Sequence, residues 1–140
     1  MFFKTYNMRA LRLNTIILLP VILLLESCGS KSPTPPPTEQ PIAFTYNAGN
    51  NVLNPGPSLN FNVTLTSAMP AAGIKVEVST KEEATGNAVG TNSSVNGTSA
   101  TVNVGVSALP RQLWCIVTVK VSSVSTASNN ATQTFRIVYK

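Results

Sequence analysis

The chain is 140 residues long, carries ten Lys or Arg against five Glu for a formal net charge of +5, and is 43% hydrophobic. It contains no histidine and no aspartate, which excludes most general acid–base pairs, catalytic triads and His- or Asp-rich metal sites. The basic residues stand singly, without a run or a stripe, whereas nucleic-acid binding needs a concentrated patch.

In chain order, the first feature is a secretory signal. Lys4, Arg9 and Arg12 precede residues 16–25, an apolar run of ten interrupted once by Pro20. A basic start, a short apolar stretch and a small residue before the cut describe a signal peptide over residues 1–27. The run is shorter than the ~20 residues a membrane-spanning helix needs. Leu25-Glu26-Ser27-Cys28-Gly29 resembles the lipobox of bacterial lipoproteins. Leu25, Ser27, Cys28 and Gly29 carry the match, and Glu26 stands where that family has a small or apolar residue. The resemblance implies cleavage before Cys28, lipid attachment at Cys28 and the membrane as partner through that anchor. It also implies a place in the cell envelope, at the outer membrane, on its surface or its periplasmic side. Two or three acyl chains hold a protein firmly, since each buried methylene contributes ~0.8 kcal/mol.

Residues 29–41 read GSKSPTPPPTEQP. Clustered prolines favour an extended spacer of ~40 Å at ~3.1 Å per residue. From Cys28 onward seven Lys or Arg face four Glu, so this part carries +3. With Cys28 lipidated, Cys115 has no disulfide partner, and the core alone must hold the domain.

From Ile42 the pattern turns to period two, the mark of half-buried strands. Ile42, Phe44 and Tyr46 form a short first strand. Leu59, Phe61, Val63 and Leu65 alternate with polar residues, as do Ile74, Val76 and Val78, and then Val102, Val104 and Val106. Leu113, Cys115, Val117, Val119 and Val121 alternate with Trp114, Ile116, Thr118, Lys120 and Ser122, and Phe135, Ile137 and Tyr139 with Arg136, Val138 and Lys140. A weak strand lies over residues 88–95. Turn signals at Pro55-Gly56-Pro57, Pro70, Gly73, Asn96-Gly97, Pro110 and Asn129-Asn130 separate these runs. The expectation is an all-β domain over residues 42–140, an antiparallel sandwich of two sheets and about seven strands.

Val104-x-Val106, a corner at Leu109, and Leu113-Trp114-Cys115 followed by alternating valines resemble strands E and F of the immunoglobulin superfamily. Phe61 and Val63 stand where a second cysteine would be, and Leu113 replaces the corner tyrosine. The resemblance implies an immunoglobulin-like or fibronectin-III-like sandwich without the bridging disulfide. Lipobox, proline spacer and sandwich together are similar to lipoproteins of the Bacteroidota, some of which assist polysaccharide uptake.

No catalytic residue, cofactor or metal site is expected. Cys115 points inward among valines, where a thiol acts as a small hydrophobe. Glu77 lies on a strand's polar face, and Glu82-Glu83 read as a solvated turn. Asn-x-Ser/Thr triplets at Asn62, Asn92, Asn96 and Asn130 arise easily in a chain this rich in Asn, Ser and Thr. If Cys115 and Val117 face the core, Trp114 and Ile116 face out. An antiparallel last strand then sets Val138, flanked by Arg136 and Lys140, on the same surface. This patch of Trp114, Ile116, Arg136 and Val138 is the candidate binding site, for a glycan or for an envelope protein partner. Residues 47–57 and 80–97, read as long polar loops, are a second recognition surface. The function expected is a non-catalytic, lipid-anchored envelope binding module. The alternative is a structural or pilus-like assembly component in which residues 134–140 pair with a neighbour's edge.

Overall fold

The computed structural model describes residues Thr38–Lys140. The signal peptide, the lipobox with Cys28 and most of the proline strip lie outside the described residues.

Eight strands and no helix make up the described chain: β1 (Phe44–Tyr46), β2 (Asn51–Asn54), β3 (Leu59–Leu65), β4 (Ile74–Glu82), β5 (Ser93–Gly97), β6 (Thr101–Val106), β7 (Trp114–Ser123) and β8 (Asn130–Tyr139). They form a three-stranded sheet in the order β1-β3-β6 and a five-stranded sheet in the order β2-β8-β7-β4-β5. All pairs are antiparallel except β2 with β8, which is parallel. The all-β expectation with two sheets holds; the wholly antiparallel one does not.

Three differences from the sequence reading have local causes. Residues 47–57 are not a loop throughout, because Asn51–Asn54 is a strand made by its partner: Asn51, Val52, Leu53 and Asn54 pair with Arg136, Ile137, Val138 and Tyr139. The fifth strand falls later than residues 88–95, at Ser93–Gly97. Gly90 interrupts the earlier stretch with a φ of +69°, and an added Cβ there would lie 2.7 Å from the Ser107 carbonyl oxygen. Leu113, placed in the core row, is 41% exposed. Gln112 before it has a φ of +60°, which turns the chain so that alternation begins only at Trp114.

The odd residues of β7 (Cys115, Val117, Val119, Val121) are buried with Ile74, Val76 and Val78 of β4, and Phe61, Val63, Val102 and Val104 of the other sheet belong to the same cluster. Phe135 joins the two sheets directly. Its ring meets Phe61 edge-on at 5.3 Å and Tyr46 at 5.2 Å. At one flank Gln133 Nε2 donates to the Phe44 carbonyl (2.7 Å), and the Tyr46 hydroxyl donates to the Thr134 carbonyl (3.0 Å). At the other, Ser93 Oγ donates to the Gly105 carbonyl (3.1 Å).

Glu39 and Gln40, read as spacer, are bonded to the turn between β7 and β8. Ser125 Oγ, and Ser123 Oγ at 3.0 Å, donate to Glu39 Oε1. Asn129 Nδ2 donates to Glu39 Oε2 (3.2 Å) and to the Gln40 carbonyl (2.9 Å), while Asn129 Oδ1 accepts from the Ile42 amide (3.0 Å). The hydroxyls of Ser125 and Ser123, then the Asn129 amide, hold the Glu39 carboxyl below the ordinary carboxylate range.

Candidate binding face

Strand alternation sets the site. Because the odd residues of β7 fill the core, Trp114, Ile116, Thr118 and Lys120 turn to the outer face of the five-stranded sheet. The register with β8 places Val138 beside Trp114, Arg136 beside Ile116, Thr134 beside Thr118 and Thr132 beside Lys120. On the other side β4 sets Lys81 beside Ile116, Ser79 beside Thr118 and Glu77 beside Lys120. β2 extends the first two rows with Leu53 next to Val138 and Asn51 next to Arg136. Trp114, Ile116, Arg136 and Val138 therefore occupy one block of two neighbouring strands.

Their exposure differs from the expectation of an open aromatic beside aliphatics. Trp114 is half-buried, and the Arg136 guanidinium carbon sits 4.5 Å from its ring centroid. Val138 is only 6% exposed, between Leu53 and Trp114 in register. The apolar group most open on this face is Leu53, 57% exposed. Arg136 is also held from the far side, since its Nε and Nη2 both donate to Glu83 Oε2, at 3.1 and 2.6 Å. A cation–π contact of this kind contributes ~0.5–1 kcal/mol at an exposed site, and an exposed ion pair ~0–1 kcal/mol. Together they fix a long side chain that would otherwise sample many rotamers. The aromatic thus acts as a wall for the guanidinium, whose charge is paired with the Glu83 carboxylate.

Glu83 and Leu53 are the members the sequence did not show. Glu83, by sequence part of a solvated turn, follows β4 and meets Arg136 across 53 residues of chain, a contact the β4-β7-β8 order creates. Its neighbour Glu82 ends β4 and accepts from the Thr85 hydroxyl (2.7 Å). Leu53 lay in a stretch read as loop.

Two shallow concavities lie on this face. One, about 410 Å³, is lined by Asn50, Asn51, Glu83, Ile116, Thr134 and Arg136 among others. The other, about 390 Å³, is lined chiefly by Glu77, Ser79, Asn92, Thr118, Lys120 and Thr132. They adjoin across the Thr118–Thr134 pair. Glu77, in the lining of the second, has its Oε1 2.7 Å from Lys75 Nζ. That hydrogen bond, with the further charges of Lys75 and Lys120, holds the Glu77 carboxyl below the ordinary range against the opposing effect of desolvation.

Elsewhere, Cys115 is 1% exposed, and burial, then the charge of Glu82, pushes its thiol upward. No group of three or more His, Cys, Asp or Glu side chains is placed to hold a metal among the described residues. No protein-family model matches the chain, and no curated protein matches it.

Proposed function

We propose that the protein is a non-catalytic, lipid-anchored binding protein of the bacterial cell envelope. In this reading an immunoglobulin-like β-sandwich, carried on a proline-rich spacer, offers the outer face of β4, β7 and β8 to a glycan. The observation that carries the binding part is the register that gathers Trp114, Ile116, Arg136 and Val138 around one fixed guanidinium, beside two adjoining concavities. The immunoglobulin-like part is supported by strand order. β1, β3 and β6 lie where strands A, B and E of that fold pair, and β4, β7 and β8 where C, F and G do. The lipid anchor rests on the lipobox residues around Cys28.

A glycan suits the face better than a protein partner. Protein interfaces centre on a dry apolar core, whereas this surface is mostly hydroxyl, amide and charged groups with one well-exposed leucine. Assembly through residues 134–140 meets an obstacle, because Arg136–Val138 of β8 already pair with β2 on one side and β7 on the other.

The test has two arms on the full chain made in its native host. Intact-mass analysis should find acyl mass on a chain beginning at Cys28, and Cys28→Ala should leave the membrane fraction; an unmodified N-terminus refutes the anchor. A glycan-array screen should find a ligand whose retention falls at least several-fold in Trp114→Ala and in Arg136→Gln. Retention unchanged in both variants refutes the face.

A further inference from the structure

Resting on that reading, the outer face also indicates which glycans it takes. Four cations stand on it, Lys75 and Lys81 on β4, Lys120 on β7 and Arg136 on β8, with two carboxylates, Glu77 and Glu83. Each carboxylate is bonded to a cation of its own, Glu77 to Lys75 and Glu83 to Arg136. Lys81 and Lys120 have no carboxylate within ion-pair distance among the described residues. They lie on either side of the Ser79–Thr118–Thr134 row, Lys81 beside Ile116 and Lys120 beside Thr132. From Trp114 to Lys120 the strand runs ~20 Å at ~3.3 Å per residue. That span exceeds one sugar ring and suits a chain of several.

The row between the two lysines is all hydroxyls, Ser79, Thr118 and Thr134 across three strands, and Thr132 adds another beside Lys120. Each can both donate and accept, which matches the mixed demands of sugar hydroxyls. Trp114, the residue that would stack a neutral ring, has one face taken by Arg136. At most one ring face of Trp114 is left for stacking, whereas the positive charge is spaced along the sheet.

We infer that the outer face of the five-stranded sheet is a site for an extended acidic polysaccharide, one whose sugars carry carboxylates, running along β7 with β4 and β8 on either side. Its acidic groups meet Lys81 and Lys120 on either side of the hydroxyl row, and Arg136 lies in the row of Lys81, across Ile116 from it. Neutral glycans lose those contacts.

Affinity electrophoresis of the full chain in detergent tests this with polygalacturonate, its fully methyl-esterified counterpart and dextran. The expected result is retardation by polygalacturonate that weakens with esterification and with salt. Lys81→Gln and Lys120→Gln should each lower affinity roughly two- to fivefold, the range of one exposed charge pair. Lys31→Gln, in the proline strip, should leave it unchanged. Equal losses in all three variants would mean diffuse attraction by net charge and would overturn the site. Binding of the esterified polymer or dextran that depends on Trp114 and Arg136 but not on Lys81 or Lys120 would overturn the acidic specificity and leave the glycan reading intact. Retardation by none of the three polymers overturns this inference; a screen without any ligand removes the glycan reading as well.

Discussion

Thr80 shows what an inward-facing polar residue costs here. It sits on the core side of β4 opposite Val117, 3% exposed, and its hydroxyl has no hydrogen-bond partner. A buried hydroxyl without a partner costs ~1–3 kcal/mol. Thr80→Val keeps the shape and removes the cost, so it should raise stability by about 1 kcal/mol, seen as a higher midpoint in denaturant at unchanged slope. Cys115 makes a second case. With its thiol enclosed and its ionisation suppressed, it should react with a thiol-specific reagent only as fast as the domain opens. Rapid labelling of the native protein would contradict its placement among the valines.

Among the elements, the chain's entry through Glu39 and the β7–β8 turn is governed by pH. The Glu39 carboxyl is held below its ordinary value in the folded state. Its contribution is therefore complete above the unfolded value and is lost as pH falls through the lower, folded one. Acid below the ordinary carboxylate range should release residues 38–42 before the sheets melt, read as faster exchange of the Ile42 amide, and Glu39→Gln should show less of this pH dependence. Long alternating elements are the legible ones: β3, β4, β6, β7 and the second half of β8 follow from side-chain periodicity because each buries one row. Asn130–Thr134 of β8, mostly polar and exposed, is a strand through its pairing with β7. β2 was not legible, since Asn51-Val-Leu-Asn54 has no alternation and is a strand only through pairing with β8. The four patch residues were legible for the same reason as β7 and β8. Their burial was not, because it depends on Glu83 and Leu53, which arrive from distant parts of the chain. Gly73 is a further element-scale constraint. It enters β4 at a φ of +84°, and a Cβ would fall 2.6 Å from the Gly97 carbonyl oxygen. Gly73→Ala should cost more than ~1 kcal/mol, measured by thermal denaturation.

For the whole molecule, the decisive contact is Phe135. It comes from the five-stranded sheet and touches Phe61 and Tyr46 of the three-stranded one. Phe135→Ala should remove ~3–5 kcal/mol, a large share of the ~5–15 kcal/mol typical of a domain, and leave it partly unfolded at physiological temperature by circular dichroism. With no disulfide among the described residues, nothing covalent makes up the loss.

The bonds from Glu39 and Gln40 to Ser123, Ser125 and Asn129 also decide how the domain answers a tug on its leading segment. Such a load arrives at the β7–β8 turn, at the end of β7 away from Trp114. A handful of polar contacts, exposed or partly buried, lies between that segment and the strands. Under such a load these contacts should give way before the strands do, leaving both sheets and the surface at the far end of β7 in place.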